Sequence, residues 1–205
     1  MMHPHTQVRY IGDAIGYGVF ATQPIAKGTV VYVKDPLELE ITPQKYKEYD
    51  PVLQETIEKY SYMDENGVRI MSWDHAKYVN HCCQCNTMST GYGFEIAIRD
   101  IAAGEEITDE YGMFNFEYEM ALVCQKPYCR MRVTGRDLDV YFQEWDGKVQ
   151  QALQQFQNVE QLLLPLIDPV TKSEVEAYLQ NPVYYKSVFS LRHSQQPHTF
   201  SANGI

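Results

Sequence analysis

At 205 residues the chain can bury a full core, and its length favours one domain, with an appendage at most. A net charge of -10, from 27 acidic against 17 basic side chains, leaves no basic footprint for phosphates, so it argues against direct nucleic-acid binding and suits a basic peptide as partner. The opening Met1-Met2-His3-Pro4-His5-Thr6 lacks the parts of a signal peptide, and no apolar run reaches the roughly 20 residues that span a bilayer, so the expectation is an intracellular protein, cytoplasmic or nuclear, off the membrane, its oligomeric state open.

From Gln7 to Ile41 the pattern is short β: residues 8–11, 18–21, 30–33 and 37–41, with Gly12-Asp13, Gly16 and Lys27-Gly28 turning between them. Thr42-Pro43 then sets an N-cap and a first helical residue, and Tyr46, Tyr49, Leu53 and Ile57 recur at helical spacing, with Pro51 splitting the segment in two. Residues 60–62 and 68–71 return to β around Glu65-Asn66-Gly67. Residues 94–98 alternate like a half-buried strand, and 103–108 read as a turn and strand. Past Gly135 the chain becomes helical. Leu138, Tyr141, Phe142, Trp145, Val149, Leu153 and Phe156 form an apolar stripe with Gly147 a weak point. Residues 159–167 suggest a second helix, and the capping box Thr171-Lys172-Ser173-Glu174 a third, ended by Asn181-Pro182. From His193 onward the composition is that of a flexible tail.

Chemistry concentrates in three places. Asn80-His81-Cys82-Cys83-Gln84-Cys85-Asn86 holds three of the five cysteines, and the other two, Cys124 and Cys129, follow a strand-rich interval. Soft ligands in two loop-like clusters are what a metal site looks like. Gly16-Tyr17-Gly18 lets backbone approach a ligand closely or take positive φ. No helix follows it, so it is not a dinucleotide fingerprint. Gly104-Glu105-Glu106-Ile107-Thr108-Asp109-Glu110-Tyr111-Gly112 runs from a turn through a strand to an aromatic end.

In order, these three stretches resemble the GxGxFA, RFxNHSCxPN and GEELTYDYG segments of SET-domain lysine methyltransferases, and Cys124-Gln125-Lys126-Pro127-Tyr128-Cys129-Arg130 resembles their post-SET segment. The sequence departs from the pattern at Lys77, Cys82, Cys85, Asp109 and Leu122. The resemblance implies a mainly β SET-domain fold with short helices, small sheets around a knotted central motif, over residues 6–112. A post-SET zinc-binding segment over 120–136, a helical C-terminal appendage over 137–192 and a tail over 193–205 follow. It implies methyl transfer from S-adenosylmethionine to lysine in a protein, with Tyr111 catalytic, and Gly16, Tyr17, Gly18, Asn80, His81 and Tyr111 at the cofactor. Tyr60, Tyr62, Trp73 and Asp109 are candidates for the lysine channel.

Zinc has its own argument. Leu122 stands where the first post-SET cysteine would be, and Cys85 is an additional thiol, so Cys83, Cys85, Cys124 and Cys129 restore four ligands, leaving Cys82 over. The helices from 138 to 180 are expected to pack on the catalytic body and form one wall of the substrate groove. Two rival readings are a non-catalytic, zinc-stabilised binding module on the same fold, and a zinc hydrolase using His75, His81 and the cysteines. The second lacks an acid/base carboxylate of the HxE kind.

Overall fold

A computed structural model describes residues 1–122 and 126–193. In chain order the strands and helices are β1 (Thr6–Gly12), β2 (Gly16–Ala21), β3 (Val30–Val33), β4 (Leu39–Ile41), α1 (Pro43–Glu48), α2 (Pro51–Tyr60), β5 (Ser61–Met63), β6 (Arg69–Met71), β7 (Asn80–His81), β8 (Thr87–Ser89), β9 (Phe94–Ala97), β10 (Glu106–Asp109), β11 (Met120–Ala121), β12 (Arg132–Val133), α3 (Asp137–Leu153) and α4 (Pro169–Gln180). The strands form small sheets ordered β1-β2-β10-β7, β3-β9-β8, β4-β6-β5 and β11-β12. Many short strands in small sheets with a helical C-terminal region are the SET-type architecture that the motifs imply.

The local reasons are visible in the residues. β1 and β2 are a hairpin in register from Thr6↔Ala21 to Gly12↔Gly16, and Gly16 turns the chain at φ +88°. Thr42 caps α1 by accepting from the Lys45 amide at 3.2 Å. Asp50 caps α2 by accepting from the Val52 and Leu53 amides at 2.9 and 3.0 Å, with Pro51 at its first position, so the proline does split the segment. Tyr60 differs from expectation: it closes α2 instead of opening a strand.

The C-terminal region needs three corrections. α3 runs unbroken through Gly147, because Trp145 and Val149 on either side are buried. Residues 159–167 hold only one short 3-10 turn, Leu164–Leu166. Pro165 has no amide to donate there. Gln161 instead spends its side chain across the chain, accepting from the Val30 amide at 2.9 Å and donating to the Gly28 and Phe156 carbonyls at 2.8 and 2.9 Å. α4 starts at Asp168-Pro169, not at the Thr171 box; Asp168 accepts from the Val170 and Thr171 amides at 2.9 and 3.0 Å, as Asp50 does for α2.

The helices are not a satellite. Trp145, Val149, Ala152 and Leu153 share one core with Val30, Met88, Phe94 and Ile96 of the β3-β9-β8 sheet. A second cluster lies under β2 and β10, around Val19, Ala21, Val31 and Ile107. His193 is held, its amide donating to Asn115 Oδ1 at 2.9 Å and its ring 2.9 Å from the Glu65 carbonyl; the rest of the expected tail lies outside the described residues. Among the described residues no helix is long and apolar enough to cross a membrane.

Candidate functional site

All three motifs are joined by backbone. β10 pairs with β7 in parallel, Thr108↔Asn80 and Asp109↔His81, while its other edge pairs with β2. Asn86 clamps the junction: its carboxamide oxygen accepts from the Thr108 amide at 2.9 Å and its nitrogen donates to the Glu106 carbonyl at 2.8 Å. Asn80 donates to the Tyr17 carbonyl at 3.0 Å and to Glu106 Oε1 at 2.9 Å, which fastens the Gly16–Gly18 segment. A Cβ on Gly18 would stand 2.7 Å from Glu106 Oε1 and 3.1 Å from Asn80 Nδ2, so only glycine lets these groups close up. The Asn80 amide nitrogen is thus occupied in positioning the strand.

His81 lies with Nδ1 3.1 Å from the Asp109 carbonyl and 3.2 Å from the Tyr111 amide, and Nε2 3.3 Å from Cys83 Sγ. Burial, then the Arg130 charge, push its pKa down to about 4, so the ring is neutral at pH 7. Tyr111 donates its hydroxyl to the Val79 carbonyl at 2.5 Å, and its ring packs against His81, Phe114 and Phe116. Burial, then the negative charge of Asp109 and Glu95, raise its pKa, which keeps the hydroxyl protonated.

Beside Tyr111 opens a cleft. Tyr60, Tyr62 and Asp109 line it as expected, joined by Tyr32, Glu95, Phe114 and Phe116. Trp73 does not line it: its indole is half exposed and donates to the Asp35 carboxylate at 3.0 Å. None of the lining residues comes from α3 or α4, so those helices support the cleft from behind instead of walling it. Glu95 was hidden in sequence because the alternation Phe94-Glu95-Ile96 assigns it to solvent; the solvent-side face of β9 here is the cleft.

Of the expected zinc set, Cys83, Cys85 and Cys129 fall among the described residues. Cys85 turns into the main core, next to Cys82, and burial followed by the negative charge of Asp109 and Glu110 raise its thiol well above the ordinary range. Cys83 instead accepts from the Arg130 amide at 3.4 Å, which brings the Cys129–Arg130 turn to it; Cys124 lies outside the described residues. Among the described residues no three His, Cys, Asp or Glu side chains converge as a metal would need. His75 lies 2.7 Å from the Thr6 hydroxyl, and no metal-binding cluster with His81 is found among the described residues.

A different fastener joins the segment after β11 to the site. Arg130 pairs with Glu110 Oε1 at 2.5 Å and with Asp137 at 3.6 Å, and its guanidinium stacks over Tyr141 at 5.0 Å. Burial works against the Arg130 charge, but Glu110 outweighs it and the pKa is raised. Burial also raises Glu110, against the pull of Arg130. Glu110 Oε1 accepts from the Gly112 amide at 2.9 Å as well, so this one carboxylate holds the turn that presents Tyr111.

Comparison with known proteins agrees with this geometry. Residues 16–112 match the family model described as SET domain. The chain is 31% identical over 138 residues to the "Variant-silencing SET domain-containing protein" of Plasmodium falciparum (isolate 3D7). That match takes in 57% of this chain and about 5% of the much longer relative.

Proposed function

From a chain that carries a SET domain over residues 16–112, we propose methyl transfer from S-adenosylmethionine to the side-chain amine of lysine in a basic protein or peptide. The observation that carries this reading is the aromatic cleft that Tyr111 lines. The Tyr111 hydroxyl gives its proton to the Val79 carbonyl, so its lone pairs remain free to accept from an amine and to face a polarised methyl group. The rings of Tyr60, Tyr62, Phe114 and Phe116 suit a slender alkyl chain and exclude water from its amine. An amine of ordinary pKa near 10.4 is neutral about once in a few thousand molecules at pH 7, and a dry channel raises that share.

The residues around the Gly16–Gly18 segment fit the donor. Gly16 has open space where a side chain would stand, Tyr17 offers an exposed ring edge, and His81 is a neutral neighbour. Bound there, S-adenosylmethionine supplies an activated methyl group. Asn80 acts through the strand it fastens, so Asn80→Ala is expected to loosen the donor site by moving Tyr17.

The test is radiolabel transfer to a basic protein mixture, with calorimetric donor binding alongside. Tyr111→Phe keeps the ring and removes the hydroxyl; transfer is expected to fall on the order of 100-fold while donor binding survives. Wild-type turnover by that variant refutes Tyr111 as the catalytic group. A wild-type chain that binds donor and labels nothing turns the reading to a non-catalytic binding module.

A further inference from the structure

The floor of the cleft carries two carboxyls that the reading above leaves without a role. Glu95 stands on β9 and Asp109 on β10, strands of different sheets, yet both line the cleft beside Tyr111. The two side chains lie within hydrogen-bond reach of each other. Asp109 is 1% exposed. Its Oδ1 accepts from the Glu110 amide at 2.7 Å, but its Oδ2 meets no donor among the described residues. A hydrogen bond between two carboxyls requires a proton on one of them, because like charges at that range do not both persist. Burial raises both, and the Glu95 charge raises Asp109 further. The pair therefore holds one shared proton and one negative charge.

The one cation that acts on the pair, the Met1 ammonium, is itself held by Asp35 at 2.8 Å and Glu38 at 3.5 Å. Tyr111 has given its proton to Val79, and Tyr32 has given its own to Glu38 at 2.9 Å. Arg130 is engaged by Glu110. Lys59 and Lys77, which also line the cleft, place their ammonium groups over the rings of Tyr60 and Tyr78. A buried negative charge that no basic side chain among the described residues pairs with, in a cleft lined by aromatic rings, is the complement of a cation carrying several N–H donors on a slender stem. A divalent metal asks for more oxygen ligands than these two carboxyls bring, and no third metal-binding side chain among the described residues joins them.

We propose that Glu95 and Asp109 receive the primary ammonium group of the substrate and take one of its protons. The inference rests on the methyl-transfer reading. One N–H bond breaks, its electron pair stays on nitrogen, and an O–H bond forms on the carboxyl pair, which passes from one proton to two and from one negative charge to none. The lone pair left on nitrogen is what methyl transfer consumes. The stored proton goes to water when the methylated ammonium leaves and the cleft refills.

The full chain is titrated calorimetrically with n-butylammonium, with 1-butanol as the neutral isostere, in wild type, Glu95→Gln and Asp109→Asn. Butylammonium is expected to bind wild type and to lose tenfold or more in both variants, while butanol binds all three alike. Asp109→Asn keeps the Oδ1 acceptor for Glu110, and Glu95→Gln is the second variant should the first fail to fold. Equal butylammonium binding across the three proteins, or binding in wild type no tighter than butanol, overturns the proposal. Transfer at saturating donor supplies the second readout. Both variants are expected to lose about 100-fold at pH 7 and to recover as pH rises toward the amine's own value near 10.4, where the proton acceptor is no longer needed. The charged and titratable neighbours are the Met1 ammonium, Glu38, Glu58, Lys59, Lys77, Tyr32, Tyr60, Tyr62, Tyr111, Cys85 and Glu110. Burial raises Tyr32, Tyr62, Tyr111 and the thiol, so they stay protonated at neutral pH, and it raises Glu110 as well. A deficit in the variants that does not change with pH also overturns the proposal. Ammonium binding lost in the variants, with no transfer by wild type to any basic protein, sinks methyl transfer and leaves the ammonium site standing.

Discussion

The β-rich part of the chain and the helical part bury different chemistry. Among the described residues, every buried polar or charged side chain, from His3 to Asn115, lies before β11, and none lies in residues 126–193. The helical part buries Leu138, Trp145, Val149, Leu153, Ile167 and Val175 instead. Burying Asp109 and Glu110 costs free energy that hydrogen bonds only partly return, and apolar burial has to offset it. The shared core is where that happens, as α3 lies against the same sheet whose strand β9 carries Glu95. The part that holds the cleft is thus costly by itself, and the part without functional groups supplies the surplus.

The division can be broken most directly at Trp145. Trp145→Ala is expected to cost about 3–5 kcal/mol in denaturant unfolding, the range for a large buried aromatic. Its ring also packs against the Tyr111 turn: a Cβ on Gly112 would stand 2.7 Å from it, so transfer should fall at temperatures where the variant is still folded. A loss under about 1 kcal/mol would mean that the helices are dispensable to the β part.

Arg130 tests the seam between the two. Arg130→Met keeps the stem and removes the charge, leaving Glu110, 1% exposed, without its ion-pair partner. The expected cost is on the order of 3 kcal/mol, with most of it recovered in the double variant Arg130→Met/Glu110→Gln, because the buried charge is then gone from both sides. A double variant no more stable than the single one would assign the loss to packing over Tyr141.

The smallest effect gives the sharpest contrast. Asp50→Ala and Asp168→Ala remove equivalent caps, one from α2 and one from α4, and each should cost about 1 kcal/mol. Only the first should alter turnover, because α2 delivers Glu58, Lys59 and Tyr60 to the cleft. Helix hydrogen bonds hold the Asp168 carboxyl below its ordinary value. Its contribution is therefore present above about pH 3.9 and lost as pH falls below that. Melting curves at neutral and acid pH check this, and equal turnover losses in the two variants would remove the functional distinction between the regions.

Sequence spoke clearly where a residue acts on its own neighbours. Gly12-Asp13 and Gly16 turning a hairpin, Thr42-Pro43 starting a helix and Pro51 splitting one are local constraints, and each stands where the residues put it. The three motifs were legible as a family pattern, and Asp109, Tyr60, Tyr62 and Tyr111 do meet in one cleft. Contacts made at a distance were not legible. Gln161 looked helical and spends its side chain on Gly28 and Val30 instead. Cys85 looked like a ligand, and its burial depends on α3 lying across the sheet. Asp168-Pro169 was readable by the same rule as Asp50-Pro51 but lay beside a more conspicuous capping box. Arg130 had no local signal, since its partners Glu110 and Asp137 are brought to it only by the completed fold.

The parallel pairing of β7 with β10 has a consequence for how the site comes into being. Each contributes two residues to the ladder, and β8 and β9 lie between them along the chain. So short a pairing gains little by itself, and the loop closed to make it is long, so neither motif organises the other before the intervening sheet is in place. Tyr111, His81 and Asp109 therefore acquire their mutual positions last. An isolated peptide of either motif has no site to offer, and a chain cut between them loses it even with every functional side chain still present.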